Sequence, residues 1–365
     1  MFLIKKNSCY NFKNYSYEKK IKIDNSKFIK NNMEVQENSS TLGFQEYMVD
    51  IINKGSLSLT LSIGHKVGLF DTMVSLPPSK NKQIAIASNL NERYTREWLA
   101  AMVVGKIVNY DPSNDLYFFP KEKADHLTPK TKIYNFAASM QWILILGQVE
   151  DEIVNCFKQG GRVSYSSYHR FHEVVEEESA ETVLSILFES IILLVPELKE
   201  RLKKGINVLD IGCDSSRVMN MMANQFPLSR FTDYDISQEA IKNTHSQSLT
   251  DGDKNIDFKV KDVSKILDRQ TNLSFDLITA FDAIHDQAEP GIILRNIVSL
   301  LKPGDGVFLM QYILSSSLLK NNLDHQLGIF LYTLYCLYCM SVSLALDGIG
   351  LGAMGGKERA VEMLK

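Results

Sequence analysis

Apolar residues recur at helical spacing from Leu42 through Met48, Ile51 and Ile52, and Gly55 predicts the end of that helix. A second helix is predicted over residues 56–76, SLSLTLSIGHKVGLFDTMVSL, stopped by Pro77 and Pro78. A short helix around Gln83 to Ser88, a turn at Asn89 to Asn91 and a helix from Glu92 to Val104, closed by Gly105, come next. KIVNY and LYFF are β-prone runs separated by DPSND, whose turn formers predict a hairpin. Helix, turn, helix and hairpin in that order spell a winged helix. From Tyr134 to Lys204 the spacing is helical again, with Trp142, Ile145 and Val149 on one face and Val183, Ile186, Leu187 and Ile191 on another.

The pattern changes at Gly205. Five β-prone segments, NVLDI, RFTDYD, IDFKV, FDLITAF and GVFLMQ, alternate with helical ones that begin near Ser215, Ser237 and Pro290. Such alternation with continuous apolar runs predicts an α/β domain, a Rossmann-like and mostly parallel sheet covered on both faces. Ligands of such sheets bind beyond the carboxyl ends of the strands. The chain therefore divides into a disordered basic extension (1–40), an α-rich winged-helix and dimerisation domain (41–133), a helical connector and substrate roof (134–204) and the Rossmann-like domain (205–365).

Charge sharpens this division. Residues 1–32 hold eight lysines against Glu18 and Asp24, a net +6, so the overall charge of −3 leaves −9 on the rest. A net-acidic body is a poor polyanion binder, and the helix ERYTREWLAAMVV balances Arg93 and Arg96 with Glu92 and Glu97. The winged helix is thus expected to pack or dimerise rather than hold nucleic acid. The five cysteines are scattered and fit reduced thiols in a cytoplasmic setting. Only four residues precede the first lysine pair, too few for the apolar core of a secretory signal, and Met33 offers an alternative start. Residues 327–346 carry no charge over twenty positions, but three tyrosines and their place inside the α/β domain predict a buried helix over the active site or at a dimer interface, not a membrane span. Cys336 and Cys339 share a face there without two further ligands, so no metal site is expected.

Candidate chemistry clusters at the predicted strand ends. Asp210 stands at the exit of the first strand, Gly212 permits a tight turn, and Ser215 or Ser216 can cap the next helix, whose first N–H groups favour an anionic group. Asp235 ends the second strand, 25 positions after Asp210, where a carboxylate can meet a ribose hydroxyl. After the third strand come Lys261, Asp262 and Val263, an acceptor for an adenine amino group beside an apolar wall for the ring. The spacing that a nicotinamide-binding glycine loop needs would place glycine where Asp214 and Arg217 stand, which disfavours that cofactor.

LDIGC, Asp235, KDV, FDLITAFDAIHD and LLKPGDG together resemble the class I S-adenosylmethionine-dependent methyltransferases over residues 205–365. SIGHKVGLFD, REWLAAMVVGKIV, AFDAIHDQ and LDHQLGIFLY extend the resemblance to a group in which a winged helix precedes the methyltransferase domain, a group of unassigned substrate. The resemblance implies S-adenosyl-L-methionine as cofactor, held by Asp210, Gly212, Asp214, Asp235, Asp262, Val263 and Phe281. It implies methyl transfer to an oxygen or nitrogen nucleophile of a small molecule by a homodimer. His285 is the candidate general base, oriented by Asp282 or Asp286. Tyr165, Tyr168 and His172, in YSSYHRFHEVVEE, are candidate substrate contacts.

Two departures from the family pattern support other readings. The loop reads Asp210, Ile211, Gly212, Cys213, Asp214, Ser215, Ser216, with two of the family's three glycines replaced, and Asp214 can either repel the cofactor's carboxylate or meet its ammonium group. The usual sixth and seventh strands do not follow KERAVEMLK, so the fifth strand is expected to be an open edge. The alternatives are a catalytically impaired binding or scaffold protein and, third, a winged-helix DNA-binding regulator.

Overall fold

A computed structural model describes residues 2–5, 41–129, 134–212, 217–238, 241–242, 255–266, 274–311, 315–351 and 355–363. The chain forms two compact units, divided between Gly147 and Gln148, with the first strand belonging to the second unit.

The first unit opens with α1 (Thr41–Lys66), followed by α2 (Leu69–Val74), α3 (Asn81–Ala87) and α4 (Glu92–Val104). Gly55 does not end a helix; α1 runs through it, because the apolar face continues with Leu57 and Leu61 and one helical glycine costs only about 1 kcal/mol. The break comes at Gly68, whose φ of +72° suits glycine. Asn91 caps α4 by accepting the N–H of Arg93 at 3.0 Å. Phe70, Ile84, Trp98, Leu99 and Met102 fill the core, with the Trp98 ring edge-on to Phe70 at 5.3 Å. The wing is the antiparallel pair β2 (Asn109–Asp111) and β3 (Leu116–Phe118).

In the second unit β4 (Asn207–Ile211), β5 (Arg230–Asp235), β6 (Ile256–Val260), β7 (Leu277–Ala280) and β8 (Val307–Met310) are parallel. With the four-residue strand β1 (Phe2–Lys5) at one edge, the order in the sheet is β1-β8-β7-β4-β5-β6, so the chain reverses direction across the sheet next to β4. Leu209, Ile278 and Phe308 fill the core on one face, against Ile293 and Ile297 of α5 (Pro290–Leu300). Val208, Phe231, Leu277 and Leu309 fill it on the other, with Met219 and Met222 from the helix Arg217–Gln225.

The edge beside β8 departs from expectation. β1 (Phe2–Lys5), within the segment expected to be disordered, pairs antiparallel with β8 from Phe2↔Met310 to Lys5↔Val307. Four residues of extended chain suffice to satisfy a four-residue edge, which is why so short a run can cover it.

A helix from Gly328 to Ala345 is long and apolar enough, by length and composition, to cross a membrane. Within this unit it buries Leu331, Leu334, Tyr338, Cys339 and Val342. Its middle, Tyr335–Cys339, is a π turn.

Candidate functional site

The carboxyl ends of β4, β5 and β6 open onto a cleft of about 280 Å³ including its mouth, lined by Gly212, Tyr234, Asp235, Lys261, Val263 and Gln287 among others. Gly212 has φ +77°, and its N–H donates to the Tyr234 carbonyl at 2.9 Å. A Cβ there would lie 2.4 Å from the Ala283 Cβ, so the turn after β4 and the loop after β7 approach as closely as only glycine allows. Asp235 accepts the Ser237 N–H at 2.7 Å, which fixes its carboxylate at the cleft wall. Lys261 places its ammonium 4.8 Å from the centre of the Tyr234 ring. Val263 is buried and gives the cleft an apolar wall.

Asp210 lies beneath this floor. In register beside it stand Asp233 on β5 and Thr279 on β7, all three buried. Burial pushes the Asp210 carboxyl up to about 7, against the opposing hydrogen bonds of the Thr279 hydroxyl and the Ile211 N–H; the charge of Asp235 raises it further. Asp262 is engaged in its own turn, accepting the Ser264 N–H at 2.9 Å and the Lys265 ammonium at 2.9 Å. Burial would raise its carboxyl, but those bonds outweigh it and hold the group below the usual carboxylate value. Asp262 therefore does not line the cleft, and Phe281 packs into the core beside the sheet. Asp214 lies outside the described residues.

The loop after β7 carries the candidate acid–base groups. Asp282 adopts φ +50°, a left-handed conformation that aspartate tolerates better than most residues, and accepts from Gln311 Nε2 at 2.9 Å. His285 and Asp286 are buried in the 3-10 turn Ile284–Asp286, with His285 Nε2 3.4 Å from Asp286 Oδ1. Burial pushes the Asp286 carboxyl up, while His285, Cys339 and Tyr338 pull it back.

Tyr165 and Tyr168 enter one aromatic cluster with Phe171 and Tyr338. Tyr338 is 6.0 Å from Tyr165, 5.3 Å from Tyr168 and 4.8 Å from Phe171 between ring centres. Burial raises the Tyr165 and Tyr338 hydroxyls well above the ordinary value, and the charge of Asp286 raises both further. Tyr168 instead donates its hydroxyl to the Leu337 carbonyl at 2.5 Å, pinning the π turn. His172 is exposed, with its ring against Phe171. The structure thus brings Gly212, Asp235 and Val263 to one cleft and Tyr165 near the His285–Asp286 turn. Sequence reasoning missed Gln287 and Tyr338. Gln287 carried a signal in its place directly after IHD; Tyr338 was one of three tyrosines in a charge-free run, with no mark to single it out.

Known proteins resemble both units. The Rv2258c-like winged HTH domain matches residues 55–129, and a methyltransferase domain matches residues 202–328. Over 105 residues the chain is 32% identical to the ubiquinone biosynthesis O-methyltransferase of Xanthomonas axonopodis pv. citri, an alignment covering 29% of this chain and 42% of that protein. The chain spans less than half the length of the curated relatives it matches. Human N-acetylserotonin methyltransferase, solved with S-adenosylmethionine, superposes with a TM-score of 0.60 at 15% identity, covering 83% of this chain and 88% of its own. An O-methyltransferase-like structure from Nostoc punctiforme gives 0.64 at 13% identity, covering 87% and 91%. Two domains matched in this order, on a sheet and winged helix of this topology, show a winged-helix domain followed by a methyltransferase domain, with the fold of these S-adenosylmethionine-dependent O-methyltransferases.

Proposed function

We propose that the chain is a methyltransferase that binds S-adenosyl-L-methionine and methylates an oxygen or nitrogen nucleophile of a small molecule. The observation that carries this reading is the cleft that joins Gly212, Asp235 and Val263 at the strand ends, with His285 and Asp286 in the loop after β7. The residues fit the cofactor. Gly212 presents backbone without a side chain to the cleft wall, the Asp235 carboxylate suits a ribose diol, and Val263 offers an apolar face to an adenine ring. When bound, the cofactor supplies an electrophilic sulfonium methyl group. His285 takes the proton of the acceptor's hydroxyl or amine, and Asp286 beside Nε2 stabilises the imidazolium that forms. Tyr165 and Tyr338 border that proton transfer, and with Tyr168 and His172 they make the candidate substrate roof. Asp282 fixes the loop and the family pattern adds Asp214, while Asp262, tied into its own turn, and Phe281, packed against the core, stand behind the cleft wall and would support the cofactor site from there.

Calorimetric titration of S-adenosylmethionine and its demethylated product into the full chain tests the first half. Micromolar binding by the parent, weakened roughly tenfold to a hundredfold by Asp235→Asn, is expected from loss of a charged hydrogen bond. Binding insensitive to Asp235 would remove the cleft from the site. The second reading is a binding or scaffold protein without catalysis, favoured by Asp214 and Ser216 at family glycine positions; binding restored only by Asp214→Gly would select it.

The proposed assembly is a homodimer in a reducing, cytoplasmic setting, without nucleic acid or membrane. Its support is the exposed apolar run on α1, where Phe44 and Ile52 are each 64% exposed and Met48 and Ile51 lie between them. Sedimentation of the parent as a dimer, and of Phe44→Ser/Ile52→Ser as a monomer, is the expected result.

A further inference from the structure

Beside the cleft, three side chains with metal-binding atoms converge: His285 and Asp286 from the turn after β7, and Cys339 from the π turn of the 328–345 helix. All three are buried, and their ligating atoms lie within 4.8 Å of one another. The 3.4 Å between His285 Nε2 and Asp286 Oδ1 is long for a charge-assisted hydrogen bond, usually about 2.7–2.9 Å. Two ligands each about 2.0–2.1 Å from one tetrahedral ion stand roughly 3.3 Å apart, which this spacing matches. A thiolate on the same ion would stand roughly 3.6 Å from the imidazole nitrogen, so Cys339 needs to close by little more than about 1 Å. Asp286 is more than nine-tenths buried, and its Oδ1 has no hydrogen-bond partner among the described residues.

Charge supports the same assignment. A neutral imidazole, one carboxylate and one thiolate around a divalent ion sum to zero, so a buried site gains no uncompensated charge. The mixed nitrogen, oxygen and sulfur set suits zinc-class ions and is poor for magnesium or calcium. The π turn, a geometry often found at functional sites, brings Cys339 to this corner. Cys336, its neighbour in the sequence, is not among the three converging residues.

We propose that His285, Asp286 and Cys339 form a three-ligand site for a zinc-class divalent ion, with the fourth position open. Binding forms one bond each to nitrogen, oxygen and sulfur, and the Cys339 thiol proton leaves to solvent. One consequence rests on the reading of His285 as general base: the ion occupies the imidazole lone pair and silences methyl transfer, as an inhibitor rather than a participant.

The test is anaerobic titration of the full, reduced chain with Co2+, then Zn2+. The site predicts one tetrahedral Co2+ per chain, with a thiolate-to-cobalt absorption band that Cys339→Ser abolishes and Cys336→Ser keeps. His285→Asn should weaken binding at least tenfold. Calorimetry of Zn2+ binding in buffers of different ionisation enthalpy needs no variant, and should show release of about one thiol proton per ion near neutral pH. Octahedral Co2+, a band that survives Cys339→Ser, or zinc binding without proton release would each overturn the site. Co2+ bound at this site with methyl transfer undiminished would keep the site and overturn the base role of His285. Absence of Co2+ binding would overturn the site and leave the methyltransferase reading standing.

Discussion

At Gly212, one residue carries two separable constraints. Its left-handed backbone costs any other residue about 1–2 kcal/mol, and the 2.4 Å approach to Ala283 adds an overpacking cost of roughly 1–3 kcal/mol. Gly212→Ala is therefore expected to lower unfolding stability by about 2–5 kcal/mol in urea, with Ala283→Gly recovering only the second part. Equal stability of the single and double variants would show that the contact carries no cost. Asp210 makes a different prediction. Its folded carboxyl titrates at about 7, well above the unfolded value, so the native state holds a proton that the unfolded chain has already released. That contribution is full below about pH 4 and is lost as pH rises through about 7, amounting to at most on the order of 4 kcal/mol. Urea midpoints of the parent should fall relative to those of Asp210→Asn between pH 5 and 8, and parallel profiles would refute the shift. Both positions were legible in the sequence as a strand exit and a tight turn. Their neighbours were not, because Thr279 and Ala283 reach them across the sheet from some 70 residues away.

Among the elements, two glycines of α1 show what a local pattern holds and what it omits. Gly55 reads as a helix stop, yet α1 continues through it and nothing lies within 4 Å of where its Cβ would be. Gly64 occupies the same helix, but a Cβ there would meet the Trp98 ring at 2.4 Å, where the indole donates to the Thr60 carbonyl at 2.8 Å. Gly55→Ala should raise the thermal midpoint, since removing a helical glycine gains about 0.5–1 kcal/mol. Gly64→Ala should lower it, because overpacking of roughly 1–3 kcal/mol exceeds that gain. Opposite shifts in one helix would locate the α1–α4 crossing at Gly64; two upward shifts would mean that Trp98 yields without cost. The strands were easier to read. NVLDI, RFTDYD and IDFKV match β4, β5 and β6 residue for residue: central β4 is a buried apolar run, whereas β6, at the sheet edge and nowhere fully buried, alternates apolar and polar residues. The π turn left no trace in the sequence, since shifting a helical hydrogen bond by one residue requires no particular side chain; Tyr168, 169 positions before Leu337, supplies the hydroxyl that holds it.

Across the whole molecule, the sheet draws its last strand from the opposite end of the chain. The alternation of strands and helices after Gly205 made the parallel order readable, but the partner of β8 was not, because pairing between Phe2–Lys5 and Val307–Met310 is set by an unsatisfied edge and not by any local pattern. The pairing has a measurable cost of loss. Each backbone hydrogen bond contributes a net 0.5–1.5 kcal/mol or so, and every 1.4 kcal/mol changes an opening equilibrium about tenfold. A chain beginning at Met33 keeps every strand but β1, so its β8 amides are expected to exchange with deuterium at least tenfold faster, while β4 amides in the sheet centre keep their protection. The bared edge should also template association between copies, seen as concentration-dependent sedimentation beyond the dimer, which the full chain lacks. Unchanged exchange at β8 would show that β1 adds nothing to the sheet. Faster exchange with no association would show that β8 alone is too short and too flanked by loops to recruit a strand from another chain.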